Sequence, residues 1–278
     1  MNSETLPPDL VAAGFRLDGR VAVVTGAGSI GPGFGIGRAS AILLAEAGAR
    51  VVIVDNDLAA AEETVALIEQ RGGTSLPFEL DVTDESEIAA AFALVEKKWG
   101  AVHALVNNVG IVGPPGTVEN LDLARWEEAM RVNVTSMVMT SRAAIPSMRL
   151  AGGGSIINIS SVAGISSGYP AALYPTSKGA VISLTRAMAA HHGQDRIRVN
   201  AIAPGALFTP RIAVRKPSEK LRENRAKLNL LGVEGNGWDA AYAVLYLAGD
   251  ASRWVTGSVL TVDAGVSTLV AAGSPPSK

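Results

Sequence analysis

The chain has 278 residues, 48% of them apolar, with 26 acidic residues against 24 basic ones and a formal net charge of −2, a balance that draws it to neither nucleic acid nor an anionic membrane. It lacks cysteine, which excludes disulfides, thiolate nucleophiles and cysteine-bound zinc, and its three histidines, His103, His191 and His192, stand at no metal-clamp spacing, so no metal is expected. No apolar run approaches the ~20 residues that span a bilayer, and no basic stretch leads into an apolar core near Met1, so a soluble, cytoplasmic protein is expected.

From Arg20 onward short β-branched runs alternate with longer helical patterns. The runs predict strands over 21–25, 51–55, 75–79, 104–107, 155–160, 198–203 and 258–262. Most are apolar at successive positions, as strands covered on both faces are. Between them the pattern predicts helices over 37–47, 58–71, 85–99, 123–150, 174–192 and 238–248. Asp84 and Asp122 are placed to cap two of them. Repeated strand–helix–strand units imply a doubly wound α/β domain: a mainly parallel, seven-stranded sheet with helices on both faces. No linker divides it, so one domain is expected over 17–270. Residues 1–16 and 271–278 are expected to be loose extensions. Residues 210–232 are helical in composition yet break the rhythm, which reads as an excursion over the C-terminal edge of the sheet.

The first strand runs into Thr25-Gly26, then Ala27-Gly28-Ser29-Ile30-Gly31-Pro32-Gly33-Phe34-Gly35-Ile36-Gly37-Arg38. Glycines let backbone N–H groups approach a pyrophosphate, and the helix that follows offers its positive N-terminal end. The bland alternative is a tight turn. The second strand ends in Asp55, which can accept hydrogen bonds from the adenosine ribose. A 2′-phosphate would meet Asp55 with Asp57 nearby, a repulsion on the order of 4 kcal/mol per charge pair at ~4 Å. With no Lys or Arg between Gly26 and Gly37, NAD is expected rather than NADP. Asp55 as a merely solvated strand end is the alternative.

Tyr174-Pro175-Thr176-Ser177-Lys178 puts a phenol and an ammonium four residues apart, hence on one helical face. A neighbouring cation favours the phenolate of a group whose ordinary pKa is ~10. Ser161 follows the strand Ile156-Ile157-Asn158-Ile159-Ser160 and would stand at its C-terminal end. It reads either as a turn residue or as the hydroxyl that orients a substrate oxygen beside Tyr174.

Together these residues resemble the short-chain dehydrogenase/reductase family in its form of roughly 250 residues. Thr25-Gly26 with Gly35-Ile36-Gly37 resembles its cofactor motif, and Asn107-Asn108-Val109-Gly110 its Asn-Asn-Ala-Gly motif. Ser161, Tyr174 and Lys178 match its catalytic residues in order and spacing, and Pro204-Gly205 with Thr209 resembles its nicotinamide segment. The resemblance runs from about Arg20 to Gly265. It implies a Rossmann-like fold, with Tyr174 as acid/base, Lys178 lowering the tyrosine pKa and holding the nicotinamide ribose, and Ser161 positioning the reacting oxygen. Asn133 would support a water relay to the lysine. Asp81 and Val82 would lie beside the adenine, and Asn107, Asn108 and Gly110 along the cofactor. Ser29, Pro204, Gly205 and Leu207 would be further cofactor contacts, with Thr209 bonding the carboxamide. It also implies a homotetramer formed through the helices at 123–150 and 174–192.

The sequence departs from that pattern at three places. About five extra residues stand around Ser29 to Gly33, Val109 replaces the usual alanine, and His103 stands where aspartate is common. His103 reads as a locally satisfied strand residue. Near the expected pocket lie Ile111, Val112, Ala163, Ile165, Tyr169, Leu207 and Phe208, which fit a secondary alcohol or ketone with an apolar body. Residues 211–227 carry seven cations against Glu219 and Glu223. They read either as an attraction for an acidic substrate or as the solvated face of a lid with a Glu223–Lys227 pair. The leading reading is an NAD-dependent alcohol dehydrogenase. The alternatives are an NADPH-preferring 3-oxoacyl-carrier reductase and a non-catalytic NAD-sensing binder.

Overall fold

All five residues of strand β1 (Val21–Thr25) are buried, and consecutive side chains leave a strand on opposite sides. Val21 and Val23 accordingly join one apolar cluster while Ala22 and Val24 join another. The same division recurs in β2 (Arg50–Asp55), where Val52 and Val54 face one cluster and Val51 and Ile53 the other. A strand that is apolar at every position therefore needs a helical layer on each face. Fully burying one such side chain contributes about 1.5–3 kcal/mol, so both layers are held by many such increments.

A computed structural model describes residues 10–166 and 168–268, and the tail from 271 lies outside the described residues. The remaining strands are β3 (Thr74–Glu79), β4 (Ala104–Asn107), β5 (Gly154–Ile159), β6 (Ile197–Pro204) and β7 (Val259–Val262). They form one sheet in the order β3-β2-β1-β4-β5-β6-β7, and every pairing is parallel. Pro77 lies in β3 at the sheet edge, where a missing N–H costs no ladder bond on the outer side. The chain winds outward from β1 in both directions, so the crevice between β1 and β4 is the topological switch point where such sheets bind ligands.

A short helix α1 (Leu10–Phe15) precedes the sheet. The expectation of a loose extension through residue 16 is thus corrected for its last residues, and positions 1–9 lie outside the described residues. One face of the sheet carries α2 (Ile36–Glu46), α3 (Leu58–Gln70) and α10 (Gly237–Ala248), through Leu44, Ile68 and Leu247. The other carries α4 (Glu85–Trp99), α6 (Ser136–Leu150) and α7 (Leu173–His192), through Phe92, Met148 and Met188. Asp84 and Asp122 cap α4 and α5 (Leu123–Met130) by accepting two backbone N–H bonds each.

The single helix expected over 123–150 is interrupted. A π turn at Arg131–Thr135 joins α5 to α6 and holds Asn133, which is fully buried. The interruption has a polar cause, because the Asn133 amide serves the backbone of Ile111 instead of facing solvent: Oδ1 accepts from its N–H at 2.7 Å and Nδ2 donates to its carbonyl at 2.8 Å. Such turns widen a helix at functional positions. The excursion after β6 contains α8 (Pro210–Ala213) and α9 (Glu219–Ala226). Among the described residues the ion pair formed by an α9 residue is Arg222–Glu234, and the expected Glu223–Lys227 pair is not formed.

Candidate active site

The C-terminal ends of β1, β2, β4, β5 and β6 bring the sequence-marked residues to one edge. At the end of β1, Gly26 takes φ +62°, a left-handed conformation that favours glycine. Its carbonyl lies so close to α2 that a side-chain carbon on Gly37 would sit 2.1 Å from Gly26 O and 2.6 Å from Asn108 Nδ2. Gly26 and Gly37 are thus contact glycines, as the anchoring of the motif requires. Gly35 is the N-cap of α2 and supplies no side-chain cap, so the helix's first N–H groups remain for an anion.

Asp55 closes the loop from the other side. Its Oδ2 accepts from Gly28 N at 2.8 Å, and a side-chain carbon on Gly28 would lie 2.8 Å from that oxygen. Gly28 therefore joins the motif as a residue that sequence reasoning quoted but did not single out. Asp57 caps α3 through Ala60 N at 3.2 Å. The cation nearest the loop in sequence, Arg38, is 4% exposed. It is consumed by Thr64, Ala60 O and Glu63 at 3.0, 3.3 and 2.9 Å, and so is not free to meet a 2′-phosphate.

The five extra residues of the loop lean on the lid. A carbon on Gly31 would touch Val214 at 3.1 Å, and Phe34 packs its ring on Trp238 at 4.9 Å between centroids. A cleft of about 140 Å³ lies between loop and lid, lined by Pro32, Phe34, Phe208, Pro210 and Trp238 among others. Ser29 Oγ donates to Gly31 O at 2.6 Å, a bond within the loop itself.

Two neighbouring asparagines divide their work. The polar atoms of Asn107, buried in the sheet, are taken by Ser141, Asn158 and Thr140 at 3.2, 2.9 and 2.7 Å. Its side chain is therefore a structural brace between β4, β5 and α6, which corrects the expectation that it lines the cofactor. Asn108 faces the glycine loop, with Nδ2 donating to Thr25 O at 3.1 Å and Gly26 O at 2.9 Å. Asp81 is exposed and turns to Thr83 N at 2.8 Å, while Val82 is buried beneath it. His103 sits at the opposite edge, its Nδ1 accepting from Val21 N at 3.2 Å. That is the locally satisfied role expected of it.

Ser161, Tyr174 and Lys178 converge where β5 meets α7. Ser161 caps the turn Val162–Gly164, Oγ accepting from Ala163 N at 3.2 Å, and its hydroxyl is also a partner of the Tyr174 phenol. The turn reading of this serine holds. Tyr169 packs on the Tyr174 ring at 5.2 Å between centroids. Lys178 is 3% exposed and donates to Ile159 O at 2.9 Å, which leaves further donors on Nζ for a ligand. Nζ lies 5.8 Å from the centre of the Tyr174 ring.

Burial lowers the Lys178 pKa from 10.5 to about 8, with the charge of Arg211 a smaller contribution. Burial likewise raises the Tyr174 phenol above its ordinary value, and the Ser161 hydrogen bond and the Arg211 charge oppose it only in part.

Beyond β6, Gly205 N donates to Val262 O at 2.9 Å, fixing the start of the loop that follows Pro204. Thr209 precedes α8 and spends no side-chain bond on capping it. Leu207 packs against Gly235, and Phe208 lies 4.1 Å beneath the Arg222 guanidinium in the loop–lid cleft. Arg211 reaches the Asn108–Gly110 segment: Nη1 donates to Gly110 O at 2.7 Å. Sequence reasoning had grouped it with the lid's surface cations.

A doubly wound parallel sheet with a glycine loop at its switch point and a Ser–Tyr–Lys cluster at the same edge defines a nucleotide-dependent oxidoreductase architecture. The chain belongs to the short-chain dehydrogenase/reductase family. A family model described as enoyl-(acyl carrier protein) reductase matches residues 31–267. The cis-4-hydroxycyclohexanecarboxylate dehydrogenase of Sinomonas cyclohexanicum is 37% identical over 251 residues, covering 90% of this chain and 97% of that protein. A solved 7α-hydroxysteroid dehydrogenase complexed with NADH and 7-oxo glycochenodeoxycholic acid is 36% identical with TM-score 0.83, covering 91% of this chain and 96% of that one. A gluconate 5-dehydrogenase from Burkholderia cenocepacia in complex with NADP and tartrate is 32% identical with TM-score 0.85, covering 94% and 100%. The chain is thus an oxidoreductase of alcohol groups, working on a small molecule with a nicotinamide dinucleotide. Among the described residues no helix is long and apolar enough to cross a membrane.

Proposed function

We propose that this enzyme interconverts a secondary alcohol and its ketone with NAD, using Tyr174 as the acid/base. The observation that carries the reading is the convergence of Ser161, Tyr174 and Lys178 at the strand edge that also holds the glycine loop. The residues present fit a dinucleotide. The close approach of Gly26 to Gly37 and the uncapped start of α2 leave backbone N–H groups for a pyrophosphate. Asp55 would accept the ribose hydroxyls and repel a 2′-phosphate, and no free cation stands in the loop to offset it. Lys178 would donate to the nicotinamide ribose with the protons it does not give Ile159, and Thr209 to the carboxamide.

The dinucleotide, when bound, accepts or returns the hydride and in its oxidised form adds positive charge. In oxidation the Tyr174 oxygen takes the alcohol's proton as the carbon gives up its hydride, and in reduction it returns that proton. Positive charge arriving beside the ring favours the phenolate that burial otherwise disfavours. Ser161 holds the reacting oxygen against Tyr174, and Tyr169 helps exclude water from that side. Asn133 holds the Ile111 backbone, and the π turn around it opens backbone for the water relay expected there. The same reading makes the enzyme a cytoplasmic homotetramer through the α5–α6 and α7 surfaces, where Val138 and Leu150 are exposed in the single chain.

The test is a screen of secondary alcohols with NAD and NADP, using Tyr174→Phe as control. Tyr174→Phe should lose at least ~10²-fold of turnover while still binding dinucleotide. Near-normal turnover in that variant would remove Tyr174 from the chemistry, and a preference for NADP would overturn the assignment at Asp55.

A further inference from the structure

The lid contributes one cation to the site itself. Pro210 opens α8 at its first turn, buried against the body, and Arg211 follows directly. The Arg211 guanidinium crosses to Gly110 O at 2.7 Å. A carbon placed on Gly110 would lie 3.1 Å from Lys178 Nζ and 3.3 Å from Asn133 Oδ1, so this residue stands against the catalytic centre. The charge of Arg211 is felt by both Tyr174 and Lys178.

The Gly110 carbonyl takes one of the five donors of the guanidinium, and Arg211 is exposed, so the others stay open to a ligand. Two other lid cations turn away from the catalytic centre: Arg222 pairs with Glu234, and Arg225 donates to Ala206 O and Leu207 O. Among the described residues Arg211 has no carboxylate within ion-pair distance. In such a setting a planar fork is matched by a carboxylate, which accepts two parallel bonds in place of one.

We propose that Arg211 is the specificity-determining residue of the substrate site, and that the alcohols this enzyme takes carry a carboxylate. The carboxylate replaces Gly110 O as partner of the guanidinium while the carbinol lies between Ser161 and Tyr174. This rests on the dehydrogenase reading above and narrows it to hydroxy acids with an apolar body. The lid thereby acquires a role in selection, because Arg211 docks beside the catalytic centre through Gly110 O and is exchanged onto the substrate when that arrives.

The experiment compares 4-hydroxycyclohexanecarboxylate with its methyl ester in wild type, Arg211→Gln and Arg211→Lys. Arg211→Gln keeps a donor for Gly110 O and removes the charge. The acid-to-ester ratio of kcat/KM should favour the acid in wild type, fall about 10- to 100-fold in Arg211→Gln, the scale of a lost charge-assisted bond, and recover partly in Arg211→Lys. A ratio unchanged by Arg211→Gln overturns the proposal. Binding supplies a readout free of turnover: displacement by cyclohexanecarboxylate and by cyclohexanecarboxamide is followed by NADH fluorescence on the NADH complex. Weakened carboxylate binding in Arg211→Gln with the amide less affected supports the anchor, and equal effects on both overturn it. Failure of NADH to bind at all would instead strike the dehydrogenase reading, and the two failures are thereby told apart.

Discussion

Replacing Lys178 by methionine should make the protein more stable and inactive at once. The ammonium is buried, and its pKa is lowered from 10.5 to about 8. At 1.36 kcal/mol per unit, holding it charged in the folded state costs on the order of 3 kcal/mol at neutral pH. The bond from Nζ to Ile159 O at 2.9 Å offsets part of the loss, and removing it costs about 1 kcal/mol. Methionine fills similar volume without charge, so Lys178→Met should gain roughly 2 kcal/mol at pH 7. The gain should depend on pH in a definite direction. Below about 8 both folded and unfolded wild type hold the proton, and the penalty is constant. Between about 8 and 10.5 the folded state releases it while the unfolded state keeps it, so wild-type stability rises with pH. By about pH 9.5 some ~2 kcal/mol should be recovered, and the advantage of the variant should be close to zero. Urea unfolding at about pH 7 and about pH 9.5, at equal protein concentration and without added dinucleotide, reads both values. A variant less stable than wild type at neutral pH, or a gap that does not shrink as the solution is made alkaline, would refute the reasoning.

Two further substitutions probe the cofactor end. Asp55→Asn keeps an acceptor for Gly28 N, now at 2.8 Å from Oδ2, but removes the negative charge. Repulsion on the order of 4 kcal/mol per charge pair, reduced by solvent at the strand end, should raise the NADP-to-NAD ratio of kcat/KM about 10²-fold, and an unchanged ratio would show that Asp55 does not face the ribose. Gly37→Ala places a carbon 2.1 Å from Gly26 O, a backbone atom with nowhere to retreat. It should cost about 1–3 kcal/mol of stability and abolish dinucleotide binding, measured by urea unfolding and by titration with NADH. Full binding in that variant would mean that the loop does not hold the pyrophosphate as described.

Much of this protein was legible along the chain because its decisive features are local or periodic. Unbroken apolar runs at positions such as 21–24 and 156–157 dictated strands buried on both faces, hence a parallel sheet clad in helices. The spacing of Tyr174 and Lys178 put both on one helical face, and Gly26 and Gly37 marked where two backbones meet. What depended on distant partners was not legible. Asn107 and Asn108 are adjacent and alike, yet only packing against Ser141, Asn158 and Thr140 turns the first inward and leaves the second to the loop. The break at Arg131–Thr135 follows from the pull of Asn133 on Ile111, 22 positions away. Helical periodicity carries no trace of such a bond. Arg211 is one of seven cations in its segment by sequence, and only the return of the lid across the sheet edge sets it at Gly110, 101 positions earlier. Periodicity reports which face of an element avoids water, whereas the partners of a polar group are fixed by distances between elements, and those exist only once the layers have packed.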